Sequence, residues 1–316
     1  MTDCGCLGDR GTSRRRVCVT LAAFAALCFS TTLYAQFTDP RTYTQSPVGL
    51  NELELSYTHA HTDASIDTSL LVGGAHFELN EAAVTYTHYY ALLDHLAWLE
   101  ARVPFANLSG EVSGTSLSRS TSGAGDSSVQ LGTLLKGGHA LSAAEFEKYE
   151  PATTWGMSLT VTAPTGEYNP NRLLNLGSNR WSFKPEFAFS YPFGRDRMWE
   201  IDAYANVYFF TDNTEYRGVE ILRQEPLPGL EAHLSHNFTS SWWASLDARY
   251  SFRGDTVVDG VDQHNEQQDL TVGSEVNWSP NSHHRFELVF ATSVVHKNSP
   301  PYTGISLRYT YSWGAG

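Results

Sequence analysis

Residues Ile305 to Trp313 alternate without interruption. Ile305, Leu307, Tyr309, Tyr311 and Trp313 are apolar or aromatic, whereas Ser306, Arg308, Thr310 and Ser312 are polar. Successive side chains of an extended strand point to opposite faces, so this stretch carries one apolar face and one polar face. A helix would place its apolar residues three or four apart, which excludes it here. A ribbon with these two faces suits a wall between lipid and a wet interior.

The pattern recurs in twelve stretches separated by turn chemistry: Leu50 to His59, Ala82 to Ala91, Leu96 to Ala106, Ser127 to Lys136, Thr154 to Pro164, Arg180 to Tyr191, Met198 to Phe210, Pro228 to Phe238, Trp242 to Phe252, Asp269 to Trp278, Arg285 to Val294 and Gly304 to Trp313. Each is close to the roughly 9 to 11 residues that a tilted strand needs to cross a bilayer. In Arg180 to Tyr191, Trp181, Phe183, Phe187, Phe189 and Tyr191 share one parity and Arg180, Ser182, Lys184, Glu186 and Ser190 the other. A soluble β-sandwich also alternates, but it has no use for long aromatic faces on nearly every strand. The expected fold is all-β, a transmembrane antiparallel up-and-down β-barrel of about 12 strands. It would use residues 36–316 as one domain.

The connections differ in length by turns. Leu93-Asp94-His95, Gly194 to Arg197, Thr239 to Ser241 and Pro280 to Ser282 are tight, whereas Asn107 to Asp126 and Arg253 to Gln268 are long and polar. Short turns on one side and long loops on the other match periplasmic and extracellular ends, with both termini in the periplasm. Gly137 to Thr153 falls on the short side and is nevertheless long; a small helix is expected around Ala143 to Glu150.

The N-terminus orders Arg14-Arg15-Arg16, an apolar run from Val17 to Ser30 and the small-residue end Leu33-Tyr34-Ala35. That order is a secretory signal peptide over residues 1–35, cleaved before Gln36. Cys4, Cys6, Cys18 and Cys28 all fall inside it, so the expected mature chain has no thiol and no disulfide. No later run of apolar residues is long enough for a membrane helix. Asp and Glu outnumber Lys and Arg 34 to 21, which argues against nucleic acid as a partner. Outer-membrane lipid of a Gram-negative bacterium is the expected partner of the apolar faces, and the barrel assembly machinery that of the last strand.

Several short motifs carry a family resemblance: Gly123-Ala124-Gly125-Asp126, Pro164-Thr165-Gly166-Glu167-Tyr168-Asn169, Asn175-Leu176-Gly177-Ser178-Asn179-Arg180-Trp181 and Trp243 to Tyr250. With them the chain, from about Leu50 to Trp313, resembles the transporter-like family named for the MetA pathway of phenol degradation. The resemblance implies an outer-membrane barrel moving small organic compounds, phenolic ones first. The chain departs from the family at its end, where Gly314-Ala315-Gly316 follow Trp313. On physical grounds Pro164 ends a strand and Gly166 permits a turn, so these residues read first as loop geometry.

Parity turns the charged residues inward, because a charge on the lipid face costs about 2 to 4 kcal/mol at mid-bilayer. The expected lumen lining is Glu100, Arg102, Lys136, Arg180, Lys184, Glu186, Glu200, Asp202, Glu231, Asp247, Arg249, Glu275, Arg285, Glu287 and Arg308. Mixed signs allow either a plugged barrel or a narrow polar path for a small organic solute. On this reading removal of Glu186 or Glu287 alters permeation alone, whereas Arg in place of Phe187 or Leu288 blocks assembly.

Two other functions fit parts of the sequence. The first is a structural or adhesive barrel without an open pore. The second is a phospholipase, since His233 and Ser235 lie two apart and outer-membrane phospholipase A is a twelve-stranded barrel with a His-x-Ser arrangement. Leu230, Ala232, Leu234 and Phe238 claim the lipid side of that strand and turn the pair inward, away from any lipid substrate. The pairs His59 with His61 and His283 with His284 read as interface residues before metal ligands. No catalytic residue, metal site or cofactor is expected.

Overall fold

The structure, a computed structural model, describes residues 38–64, 74–112, 116, 118–172 and 174–315; the signal peptide expected over 1–35 lies outside the described residues. The strands are β1 (Asn51–Ala64), β2 (Ala75–Leu92), β3 (His95–Val112), β4 (Ser118–Ala124), β5 (Ser128–Lys136), β6 (Thr154–Thr162), β7 (Ser182–Phe193), β8 (Trp199–Phe210), β9 (Asn213–Tyr216), β10 (Glu220–Gln224), β11 (Leu227–Asn237), β12 (Trp242–Arg253), β13 (Thr256–Val258), β14 (Val261–Asp262), β15 (Gln267–Asn281), β16 (His284–Lys297) and β17 (Tyr302–Trp313). Among the described residues a short α-helix, α1 (Ala143–Phe146), and a 3-10 turn, Arg195–Arg197, stand between them.

Every neighbouring pair in the wall is antiparallel, and the sheet closes on itself because β1 pairs with β17 on one side and β2 on the other, while β2 also pairs with β3. β4 and β5 share a single position in the wall. β4 pairs with β3 from Phe105 to Glu111 and β5 pairs with β3 from Ala97 to Arg102. The wall therefore has twelve staves, each coinciding with one of the alternating stretches. Closure removes the unpaired edge that lipid would not tolerate.

The alternation explains the two surfaces directly. Phe187, Leu230, Leu246 and Leu307 face outward and are 46%, 53%, 67% and 59% exposed, whereas Asn277, Asp202, Ser306 and Thr310 face inward and are buried. At the short-turn end Trp199, Trp242, Trp278 and Trp313 stand beside their turns; Trp242 stacks on Trp278 at 5.6 Å, and Trp313 meets Tyr86 at 6.2 Å. Such rings form the aromatic girdle of a membrane barrel, where an apolar body and a polar edge meet the headgroups.

The long loops are more ordered than the lost periodicity suggests. Residues 107–126, expected as loop, are mostly a continuation of the β3 and β4 ladder, with Asn107 opposite Ser122 and Glu111 opposite Ser118. Above the hydrocarbon both faces of a strand meet water, so hydrogen bonding persists after the apolar alternation stops. Two further loops supply β9, β10, β13 and β14, which join as a separate four-stranded sheet. The long connection on the turn side contains α1, shorter than expected. It is started by a capping box in which Ser142 accepts from the Glu145 amide while the Glu145 carboxylate accepts from the Ser142 amide. The Ser142 hydroxyl and amide hold the Glu145 carboxyl below its ordinary range.

Candidate functional site: a lumen shared with the N-terminal segment

Residues 38–46 run inside the barrel with mostly polar contacts to the wall, and Pro47 to Gly49 then pair with Leu141 and Tyr89 at the turn end before β1. Thr38 donates its amide to Glu231 Oε2 at 2.9 Å and its hydroxyl to Glu186 Oε2 at 2.7 Å, while Lys184 Nζ donates to the same hydroxyl at 2.8 Å. Arg41 reaches Ser235 Oγ at 2.8 Å and Asn237 Oδ1 at 2.7 Å, with its backbone amide on Asp202. Asp39 accepts from Arg308 at 2.7 Å. Inward carboxylates and cations from opposite walls thus converge on one strand of chain, which bridges them across the lumen.

Around Tyr43 the contacts become apolar. Tyr43, Leu96, Trp98, Leu134, Ala188 and Tyr204 form a buried cluster at the turn end, with the Tyr43 ring 5.3 Å from Trp98 and 5.2 Å from Tyr204. Two strand glycines make the room. A Cβ on Gly132 would lie 2.1 Å from the Trp98 ring, and one on Gly156 would lie 2.4 Å from the Tyr43 ring. Glycine inside a strand often marks such a close approach. The Tyr43 hydroxyl ends on Ser158 at 2.7 Å and Glu186 at 2.9 Å.

Glu186 is the hub. It is 3% exposed, accepts from Thr38, Tyr43 and Asn206, and pairs with Lys184 at 3.2 Å. Glu231 accepts from the other side of the Asn206 amide at 2.8 Å and has Arg249 Nε at 3.9 Å. The expectation that loss of Glu186 alters permeation alone is therefore replaced: its loss leaves Lys184 buried without its carboxylate and frees the N-terminal segment.

The charged residues expected in the lumen sit on the inner face, with one exception. Glu100, Arg102, Glu200, Asp202, Glu231, Asp247, Arg249, Glu275, Arg285, Glu287 and Arg308 are buried or half-buried there. Arg102 binds Glu81, and Arg180 lies over the Phe210 ring at 4.3 Å near the long-loop mouth. Lys136 departs. The β5–β6 register shifts between Leu134 and Lys136, which places Lys136 opposite Trp155 on the outward face at the strand end, where it is exposed. A bulge adds one residue and so reverses the parity beyond it. The adjacent leucines Leu134-Leu135 are the local sign of that break.

His233 and Ser235 are 2% and 0% exposed and face the lumen. His233 Nδ1 lies 2.7 Å from Asp247, and the Ser235 hydroxyl is held by Arg41. His233 and Ser235 therefore do not touch the lipid side, as parity required.

The family motifs join two loops at the long-loop rim. Asp126 accepts from the Gly166 amide at 2.9 Å, the Ser178 amide at 2.8 Å and the Ser178 hydroxyl at 2.6 Å. Gly166 and Gly177 touch backbone to backbone, which leaves no space for a side chain on either. Asn213 extends the lock through Ser178 and Asn179. Leu174 and Leu176 are buried below it, Leu174 against the inner face near Gly110. The loop thus folds into the mouth of the barrel and narrows it.

Between the N-terminal segment and the wall of β1, β2, β3, β16 and β17 remains a cavity of about 320 Å³. Pro40, Thr42, Thr44 and Ser46 form its inner side, and Glu52, Thr85, Thr87 and Tyr89 part of its outer side. That volume is within the range of small-molecule sites, about 300 to 1,000 Å³.

No curated protein sequence matches the chain. The crystal structure of the COG4313 outer membrane channel from Pseudomonas putida F1 is similar, with TM-score 0.76 and 21% identity, covering 88% of this chain and 100% of that one. The transport unit of the autotransporter AIDA-I from Escherichia coli is more distant, with TM-score 0.50 and 8% identity over 93% and 98% of the two chains. Both likenesses concern the fold. A family model matches residues 60–309, most of the wall, and by that match the chain belongs to the family described as "Putative MetA-pathway of phenol degradation".

Proposed function

We propose that the protein is a passive channel of the Gram-negative outer membrane that admits small organic compounds past a lumen narrowed by its own N-terminal segment. The observation that carries this reading is the cavity beside that segment: the lumen is constricted and still holds a space of small-molecule size. The apolar outer face and aromatic girdle supply the membrane setting. The Pseudomonas putida protein of similar fold is called an outer membrane channel, and the family name supplies phenolic compounds as the first class to try. No catalytic role is assigned to His233 or Ser235, because Arg41 holds the serine and the wall separates both from lipid.

The burial of Thr38 also supports removal of residues 1–35. An uncleaved signal would have to continue from a point inside a closed barrel, whereas cleavage before Gln36 leaves two residues ahead of Thr38. Intact-mass measurement of the protein from outer membranes is expected to give a chain beginning at Gln36. β17, which ends at Trp313 and seals the barrel against β1, is the strand offered to the assembly machinery.

Single-channel recording of the refolded mature protein in a planar bilayer tests the channel reading. Small discrete openings are the expected result, with phenol the first solute tried as a blocker. A folded barrel that carries no current contradicts it.

A further inference from the structure

The cavity beside the N-terminal segment has an uneven charge. Asp39, Glu52, Glu54, Glu100 and Glu287 line it, against the guanidinium groups of Arg41 and Arg285 and that of Arg308, which holds Asp39. The wall register sets several of these in rows: Glu52, Thr87 and Glu100 lie across β1, β2 and β3, and Glu54, Thr85 and Arg102 form the next row. Arg285 neutralises part of the set, at 3.4 Å from Glu52 and 3.2 Å from Glu287. Glu54 has no cation within 4.0 Å and no hydrogen bond among the described residues, and Glu100 has only the Thr87 hydroxyl. Glu287 is 8% exposed, and its Oε2 is buried without a hydrogen-bonding partner. The chamber therefore holds more negative charge than its own cations answer.

Three aromatic rings complete the lining: Tyr89, Trp98 and Trp243. Trp243 already carries a cation, since the Arg41 guanidinium lies over its ring at 4.5 Å. Carboxylates combined with indole and phenol rings are the chemistry that holds an organic cation, through charge at one end and ring faces along its body. An anion would meet unanswered carboxylates, and a neutral phenol would leave them unpaired.

We propose that this chamber is a binding site for a small aromatic monocation, a protonated amine or a quaternary ammonium, whose charge lies against Glu54 and Glu100. The proposal rests on the channel reading and narrows its solute class. The site is filled from the lumen, so its occupancy is measurable whether or not the barrel conducts.

Calorimetric titration of the refolded mature protein in detergent with benzyltrimethylammonium chloride, benzoate and benzyl alcohol tests it. Saturable binding of benzyltrimethylammonium is expected, with the other two bound at least about tenfold more weakly. Glu54→Gln removes one charge without breaking any contact, so the variant is expected to fold and to weaken binding about tenfold. Glu100→Gln is a second variant with the same expectation. Equal or tighter binding of benzoate or benzyl alcohol overturns the proposal, as does unchanged binding in both variants. Displacement by sodium ions as effective as by the organic cation reduces the chamber to a site for inorganic cations and also overturns it. A barrel that binds the cation without conducting sinks the channel reading alone.

Discussion

Phe187→Arg prevents the barrel from assembling in a membrane, and Leu288→Arg does the same. Phe187 lies midway along β7 on the outward face, opposite Met157 and Ala205, and is 46% exposed to what is lipid in the membrane. A guanidinium at that depth costs about 2 to 4 kcal/mol. Set against a typical net stability of about 5 to 15 kcal/mol, this is a large share from one side chain. Phe187→Leu keeps the face apolar and is expected to fold. The check is the fraction of chain that migrates as the heat-sensitive folded form after expression in outer membranes. Normal folding of Phe187→Arg would mean that the faces are assigned the wrong way round.

Lys184→Met destabilises the folded barrel by about 3 to 5 kcal/mol, the usual result of removing one partner from a buried ion pair. The Lys184 and Glu186 side chains are 6% and 0% exposed, so no water replaces the lost cation. Glu231, also buried, loses the same nearby charge. Glu186→Ala is expected to be similarly costly, since it strands Lys184 and removes the acceptor of Thr38, Tyr43 and Asn206. The double variant Lys184→Met with Glu186→Leu recovers part of the loss, because it leaves neither charge alone. Guanidinium midpoints of the detergent-refolded proteins decide this. An unchanged midpoint for Lys184→Met would show that the pair is solvated and the N-terminal segment not held by it.

The twelve staves were legible because a membrane wall imposes a period of two on every residue that touches lipid, and the charges then had one face left to occupy. The places where reading failed are those where that constraint is absent or broken. Thr38 to Pro47 touch no lipid, carry no periodicity and contain two prolines, so nothing local marked them as a lumen occupant. Their traces were indirect: interior charges in excess of what a narrow lumen leaves solvated, and Gly132 and Gly156 placed inside strands where Trp98 and Tyr43 need space. Lys136 escapes the parity rule because one bulge reverses it, and Leu134-Leu135 is the only local break in the alternation. The β3–β4 ladder beyond the apolar band is invisible in the sequence because hydrogen bonding alone leaves no mark on residue type. Asp126, Gly166, Gly177 and Ser178 were recognisable as motifs, and their loop role followed from proline and glycine chemistry. Which loops they join is set by tertiary contacts that leave no trace in local sequence.

Residues 38–46 hold the lumen narrow, and conductance measures that most directly. Mature protein and a version lacking those residues are refolded in parallel and recorded in planar bilayers at the same salt concentration. Small openings are expected for the intact chain and openings several times larger for the shortened one, since the polar bridges across the lumen are gone and water fills their place. Equal conductance from the two folded barrels would contradict it, because the N-terminal segment would then be no part of the constriction.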